Sequence, residues 1–211
     1  MARSLGRPEG EVGRAVGEML NRVNANITTI VYQRLRLQRG DRVLEIGFGN
    51  GKLLPALLAG AADLSYVGVD ISETMVADAG VFNAALVASG RASFQLARAE
   101  TLPFTDKSFE KVFAVNVIYF WPEPVRALAE MRRVLRPGGV SIVAAVSADT
   151  GEPPPFARAE FGFHRRDRET LEALHREAGF GQVELEDYQD LTSRPDGTVW
   201  TRHYSIVVAS P

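Results

Sequence analysis

Val43-Leu44-Glu45-Ile46-Gly47-Phe48-Gly49-Asn50-Gly51-Lys52 is the stretch that decides the architecture. Arg42 to Ile46 reads as a short buried strand, and glycines at 47, 49 and 51 follow at once. Glycine carries no Cβ, so alternate glycines let backbone amides approach a ligand closely where a helix begins. Helical spacing resumes from Lys52 to Leu58. A strand that turns through glycines into a helix opens a unit whose ligand lies beyond the strand's carboxyl end.

Reading onward, Leu64 to Val69 is apolar and partly β-branched, and Asp70 ends it. A carboxylate about twenty residues beyond the glycines can accept hydrogen bonds from both hydroxyls of a ribose, so a nucleoside ligand is implied. The place where a strict dinucleotide fingerprint needs its third glycine is Lys52; Gly51 gives G-x-G-x-G instead. Glu45 at the mouth of the first strand would repel a pyrophosphate, but it complements a ligand with an ammonium and a sulfonium.

The alternation continues outward. The spacing of Val12, Val16, Met19, Leu20, Val23, Ile27, Ile30 and Val31 predicts an amphipathic helix from Gly10 to about Leu37. Ser72 caps a helix to about Val87, Ala92 to Leu96 and Val112 to Val117 are strands, and Pro122 opens a helix over Glu123 to Leu135 that Arg136-Pro137-Gly138-Gly139 closes. Val140 to Val146 is a strand buried on both faces. After Pro153-Pro154-Pro155, Asp167 caps a helix ending at Gly179, and Gln182 to Asp187 and Tyr204 to Ala209 form an antiparallel edge hairpin. Continuously apolar strands alternating with helices predict an α/β, doubly wound, mostly parallel sheet with helices on both faces. Residues 1–211 read as one domain, with 1–37 as an N-terminal helical cap.

Composition narrows the chemistry. With 24 Lys plus Arg against 26 Asp plus Glu the formal charge is −2, so no global field recruits nucleic acid. There is no cysteine, which removes disulfides, thiolate metal sites and cysteine nucleophiles; no metal site is expected. The start MARSLGRPEGEVGR has no apolar signal core, and no apolar run reaches membrane-spanning length, so a cytoplasmic location without a membrane span is expected. Asn26-Ile27-Thr28 is expected on the helix surface.

Four motifs now stand in order: Glu45-x-Gly47-x-Gly49-x-Gly51, Asp70, LPFTDKSFEKV (Leu102 to Val112) and VLRPGG (Val134 to Gly139). Together they resemble the class I S-adenosylmethionine-dependent methyltransferases, in the branch with the ubiquinone and menaquinone methyltransferases, over about Gln38 to Val146. The resemblance implies a Rossmann-like fold and S-adenosyl-L-methionine as cofactor. It implies that Glu45, Phe48 and the amides around Gly47, Gly49 and Gly51 hold the methionine part, Asp70 the ribose, Ile71 the adenine face, and Ala99 and Glu100 the adenine edge. Asn116 matches the position beside the sulfonium. Where the family often places an acid that contacts adenine, this chain has Arg98.

Tyr119, Phe120 and Trp121 follow Asn116 and are candidates for a substrate wall, against plain core packing. Phe156, Phe161, Phe163 and His164 lie in a segment, 147–166, that could act as a lid, and Met19, Asn21 and Asn24 could fold over the cofactor. His164 beside Arg165 and Arg166 reads as a surface residue, and no catalytic acid or base is assigned. Direct displacement on an activated methyl needs mainly alignment and exclusion of water. A small-molecule acceptor is expected rather than nucleic acid, because Asn116 is followed by Val117, Ile118 and Tyr119 and not by the Pro-Pro-aromatic run of amino-methylating DNA enzymes. A nucleotide-dependent oxidoreductase and a non-catalytic S-adenosylmethionine-binding protein remain open at this point.

Overall fold

The computed structural model describes residues 4–149, 157–193 and 199–211. Its strands are β1 (Arg42–Ile46), β2 (Ser65–Asp70), β3 (Ala92–Leu96), β4 (Phe109–Val115), β5 (Leu135–Val146), β6 (Gln182–Ser193) and β7 (Val199–Ser210). The helices are α1 (Gly10–Arg34), α2 (Leu54–Leu58), α3 (Glu73–Phe82), α4 (Ala84–Ala88), α5 (Pro124–Val134) and α6 (Arg168–Glu177). The strands form one sheet in the order β3-β2-β1-β4-β5-β7-β6. β1 to β5 pair in parallel, while β7 runs antiparallel to both β5 and β6. The doubly wound class with an antiparallel hairpin at one edge is therefore observed.

Alternation along the strands divides the core between two faces. Leu44, Ile46, Val112, Ala114, Val143 and Ala145 pack with α5 and α6, whereas Val43, Phe113, Val115, Ile142 and Ala144 pack with α1 and α2. The chain leaves β1 towards β2 on one side and returns to pair β4 on the other. This reversal opens a crevice at the carboxyl ends of β1 and β4, the place where open α/β sheets bind ligands.

Several boundaries differ from the sequence reading, each for a local reason. The helix expected from Ser72 to Val87 breaks at Asn83, whose buried amide donates to the carbonyls of Gly51 and Ala79, both at 3.0 Å, and so ties the break to the glycine turn. Ser72 does cap it, accepting from the Met75 amide. Pro124, not Pro122, occupies the first turn of α5. The Arg136 to Gly139 segment is absorbed into β5, with a register shift between Phe109 and Lys111 accommodating the extra residues. β4 starts earlier and stops at Val115, because Asn116 takes a left-handed φ of +57°. β6 and β7 reach well beyond the expected pair, since each supplies the other's backbone partners from Gln182–Ser210 to Ser193–Val199. Finally, Asn26 lies on the helix surface, its amide donating to Asp190 at 2.8 Å, whereas Ile27 and Thr28 beside it are buried.

Candidate functional site

The site begins at the turn after β1. Gly47, Gly49 and Gly51 have φ of +75°, +63° and +70°, conformations that residues with a Cβ rarely adopt. At Gly47 space matters as well, because a Cβ would meet Val117 Cγ1 at 2.4 Å. At Gly49 nothing lies within 4 Å of that position, so only the backbone conformation demands glycine and open space faces the cavity.

Three buried carboxylates surround this turn. Glu45 accepts a hydrogen bond from the Tyr66 hydroxyl at 2.7 Å, and burial, aided by nearby Asp70, pushes its pKa up to about 7. Asp70 accepts from the amides of Gly49 at 3.2 Å and Ser72 at 2.9 Å; burial outweighs these bonds and raises its pKa to about 6. Glu100, just beyond β3, has one carboxylate oxygen buried with no hydrogen-bond partner and the other 3.5 Å from Arg98 Nε. A buried carboxylate oxygen without a donor is unfavourable unless a ligand supplies one.

These groups line one cavity of about 720 Å³ beneath α1. Its floor is the β1 and β2 ends, and its roof includes Gly17, Met19, Leu20, Asn21 and Asn24. Asn21 donates to Asn50 at 2.9 Å and Lys52 pairs with Glu18 at 2.5 Å, which fastens the helix to the glycine turn. Beyond Asn116 the wall becomes aromatic. The Tyr119 and Phe163 rings stack at 4.2 Å and 15°, and Phe120 meets Phe163 edge-on at 5.1 Å. The Asn116 carboxamide joins roof to wall, donating to Asn24 at 3.0 Å and accepting from the Tyr119 hydroxyl at 2.8 Å.

All the residues that the sequence singled out around the cofactor border this cavity: Glu45, Gly47, Phe48, Gly49, Gly51, Asp70, Ile71, Ala99, Glu100 and Asn116. Tyr119, Phe120 and Trp121 border it together, which consecutive residues on a strand cannot do. They manage it because Ile118–Phe120 is a 3-10 turn, whose residues fan out around a tight axis, and Trp121 leaves that turn in an extended conformation. Tyr119 and Trp121 are also buried in the core, so they line the cavity and pack in the interior alike. Met19, Asn21, Asn24 and Phe163 line the cavity, while His164 is exposed and does not. Phe161 is not among the lining residues, and Phe156 with Pro153 to Pro155 lies outside the described residues. Sequence reasoning missed Tyr32 on α1, Arg165 before α6, and Arg202, His203 and Tyr204 on β7. The signal for the last three was the length of β7, which alternation alone did not reveal.

Among the described residues Glu45 and Asp70 are answered by a phenol and backbone amides, and by no cationic side chain. That donor set fits a ligand bringing its own positive charge, hydroxyls and an amine, as S-adenosylmethionine does. The methyltransferase-domain family model matches residues 44–143, from β1 into β5. An O-methyltransferase of Aspergillus sclerotiorum is 30% identical over 180 residues, covering 82% of this chain and 67% of that one. The chain belongs to the S-adenosylmethionine-dependent methyltransferases. Further within the family, a 27-O-demethylrifamycin SV methyltransferase of Amycolatopsis mediterranei is 31% identical over 87% of this chain and 68% of its own. A Haemonchus contortus phosphoethanolamine N-methyltransferase, solved with S-adenosyl-L-methionine, superimposes with a TM-score of 0.76 at 17% identity, over 100% of this chain and 60% of that one, and shows the shared fold. Family membership decides for methyl transfer from S-adenosylmethionine to a small-molecule acceptor, and against the oxidoreductase and non-catalytic alternatives.

Proposed function

We propose that the enzyme methylates an oxygen of a small, largely apolar acceptor, and that the cavity beneath α1 holds cofactor and acceptor end to end. Glu45 and the amides of the glycine turn face the methionine part, Asp70 takes the ribose hydroxyls, and Ala99 and Glu100 take the adenine edge, with Phe48 and Ile71 packing beside them. Bound there, S-adenosylmethionine supplies an already activated methyl group. Asn116 sits where the acidic end gives way to the aromatic wall, and so orients the acceptor's approach. Tyr119, Phe120, Trp121 and Phe163 form that wall and exclude water, and such alignment supplies the main part of the acceleration.

One observation carries this reading: a single cavity joins the buried carboxylates to an aromatic wall. Relatives that are O-methyltransferases favour oxygen as the accepting atom. The formal charge of −2 supports a small acceptor over nucleic acid, and no described helix is long and apolar enough to cross a membrane. The test is formation of S-adenosylhomocysteine across a panel of phenols, aliphatic alcohols, amines and carboxylic acids. Methylated phenols or alcohols are the expected products; turnover confined to amines would overturn the choice of oxygen.

A further inference from the structure

The charges around the cavity are divided by position. Among the described residues the carboxylates lining it, Glu45, Asp70 and Glu100, stand at the β1–β3 side. Apart from Arg98, which lies beside Glu100, the guanidinium groups lining it, Arg165 and Arg202, stand at the β5–β7 side, with His203 and the Tyr204 hydroxyl next to them. No carboxylate lines that second end among the described residues.

The second end is built rather than incidental. Tyr204 is 1% exposed, and its hydroxyl has no hydrogen-bond partner of ordinary geometry, although the Asn116 amide is near enough to influence it. A buried hydroxyl in that condition is unfavourable unless a bound group completes it. Beside it, Asp190 is 2% exposed, accepts from Asn26 at 2.8 Å and lies 3.5 Å from an Arg202 nitrogen. Burying such a pair away from water is costly, and the attraction between its charges keeps the guanidinium near the cavity wall. A phenol and a guanidinium directed at the same space are donors, and the group they fit is rich in lone pairs and negatively charged.

We infer that Tyr204 and Arg202 form the anchor for the acceptor, and that they bind an anionic oxygen group, a carboxylate or phenolate, carried by the acceptor apart from the oxygen that is methylated. Asp190 and Asn26 position the anchor. This rests on the reading that the acceptor occupies the aromatic end of the cavity. It also explains how the two occupants are sorted, since the cationic cofactor finds its complement at the carboxylate-lined end and the anionic acceptor finds its donors at the other.

The test is calorimetric titration of the intact chain, saturated with S-adenosylhomocysteine, with 3,4-dihydroxybenzoate and with its neutral counterpart catechol. The acid is expected to bind at least about tenfold more tightly, as a charge-assisted contact predicts. In Tyr204→Phe, and in the paired change Asp190→Asn with Arg202→Gln, that preference is expected to fall below about threefold while S-adenosylhomocysteine affinity holds. Tyr204→Phe preserves shape and carries the test alone if the paired variant fails to fold. No preference for the acid, no binding of either compound, or a preference unchanged in Tyr204→Phe overturns the inference. Failure of the unaltered protein to bind S-adenosylhomocysteine would instead strike at the cofactor site.

Discussion

At Asp70 two backbone amides already occupy one lone pair on each oxygen, leaving the remaining lone pairs for a ligand. Asp70→Ala removes those acceptors and unties the glycine turn, so cofactor affinity should fall by more than about tenfold, on the order of 1.5 to 3 kcal/mol, measured by calorimetry. Unchanged affinity would exclude Asp70 from the ribose contact. Glu45 makes a different prediction because it titrates. Its pKa of about 7, like that of about 6 at Asp70, belongs to the ligand-free protein, and a cation bound beside them pulls both down. Binding therefore releases protons, and S-adenosylmethionine affinity should rise with pH from about 5 and level off above about 8, by up to tenfold per unit for each proton released. Glu45→Gln should flatten the upper part of that profile. A flat profile in the unaltered protein would mean that neither acid meets the ligand's charge. Both acids were legible in the sequence, Glu45 from its place at the mouth of the strand that runs into the glycines and Asp70 from its spacing beyond them. Tyr66, which sets Glu45's hydrogen bond, was not, because one tyrosine in an apolar strand looks like any core residue.

At the scale of the element, α1 has two unlike halves. Ile27 and Val31, with Leu35 just past the helix end, pack into the sheet, whereas Val16 is the one large apolar side chain that the earlier turns bury. Those earlier turns are held by polar contacts instead: Gly10 to Thr74 at 2.9 Å, Arg14 to Asp78 at 3.2 Å and Asn21 to Asn50 at 2.9 Å. The first two of these are exposed and contribute little, and a few polar contacts replace the apolar packing of the later turns, so the first half should open far more readily than the second. Hydrogen exchange should show residues 10–24 exchanging faster than 27–34 in the free enzyme, with the difference shrinking when S-adenosylmethionine binds. Equal protection in the free enzyme would show that the roof is rigid. The helix itself was legible from spacings of three and four. What it covers was not, because periodicity names a packing face but not the neighbour. The same limit hid the 3-10 turn at Ile118–Phe120, where three aromatics in a row gave no period to read, and the full reach of β7, whose outer residues gain partners only once β6 lies alongside.

For the whole molecule the relevant quantity is how stability responds to pH, because three buried groups pull in opposite directions. His175 on α6 is fully buried, its Nδ1 bonded to the Leu171 carbonyl at 2.7 Å, its Nε2 without a partner, and burial lowers its pKa from 6.5 to about 4. The fold thus favours neutral imidazole, so this contribution is whole above about pH 6.5 and is lost as pH falls towards 4. Glu45 and Asp70 act with the reverse sign. Their folded pKa values of about 7 and 6 exceed the ordinary 4.5 and 3.8, so the ligand-free fold gains from protonating them, and that gain is lost as pH rises through those values. Two acids outweigh one histidine between about pH 4.5 and 6, so on these three groups the ligand-free enzyme should reach its highest melting temperature at the acidic end, near about pH 4 to 5. Saturation with S-adenosylmethionine should shift the maximum to higher pH, since the bound cation cancels the cost of ionising the two acids. Glu45→Gln should remove Glu45's share of the alkaline decline, on the order of 1 to 3 kcal/mol, and leave Asp70's share and the histidine's contribution intact. His175→Gln should do the converse, blunting the acid limb at some loss of packing against Phe180. Melting curves of the three proteins from pH 4 to 9, with and without cofactor, decide the matter: if the acid limb survives His175→Gln unchanged, protonation of another group governs it and the buried imidazole is inert.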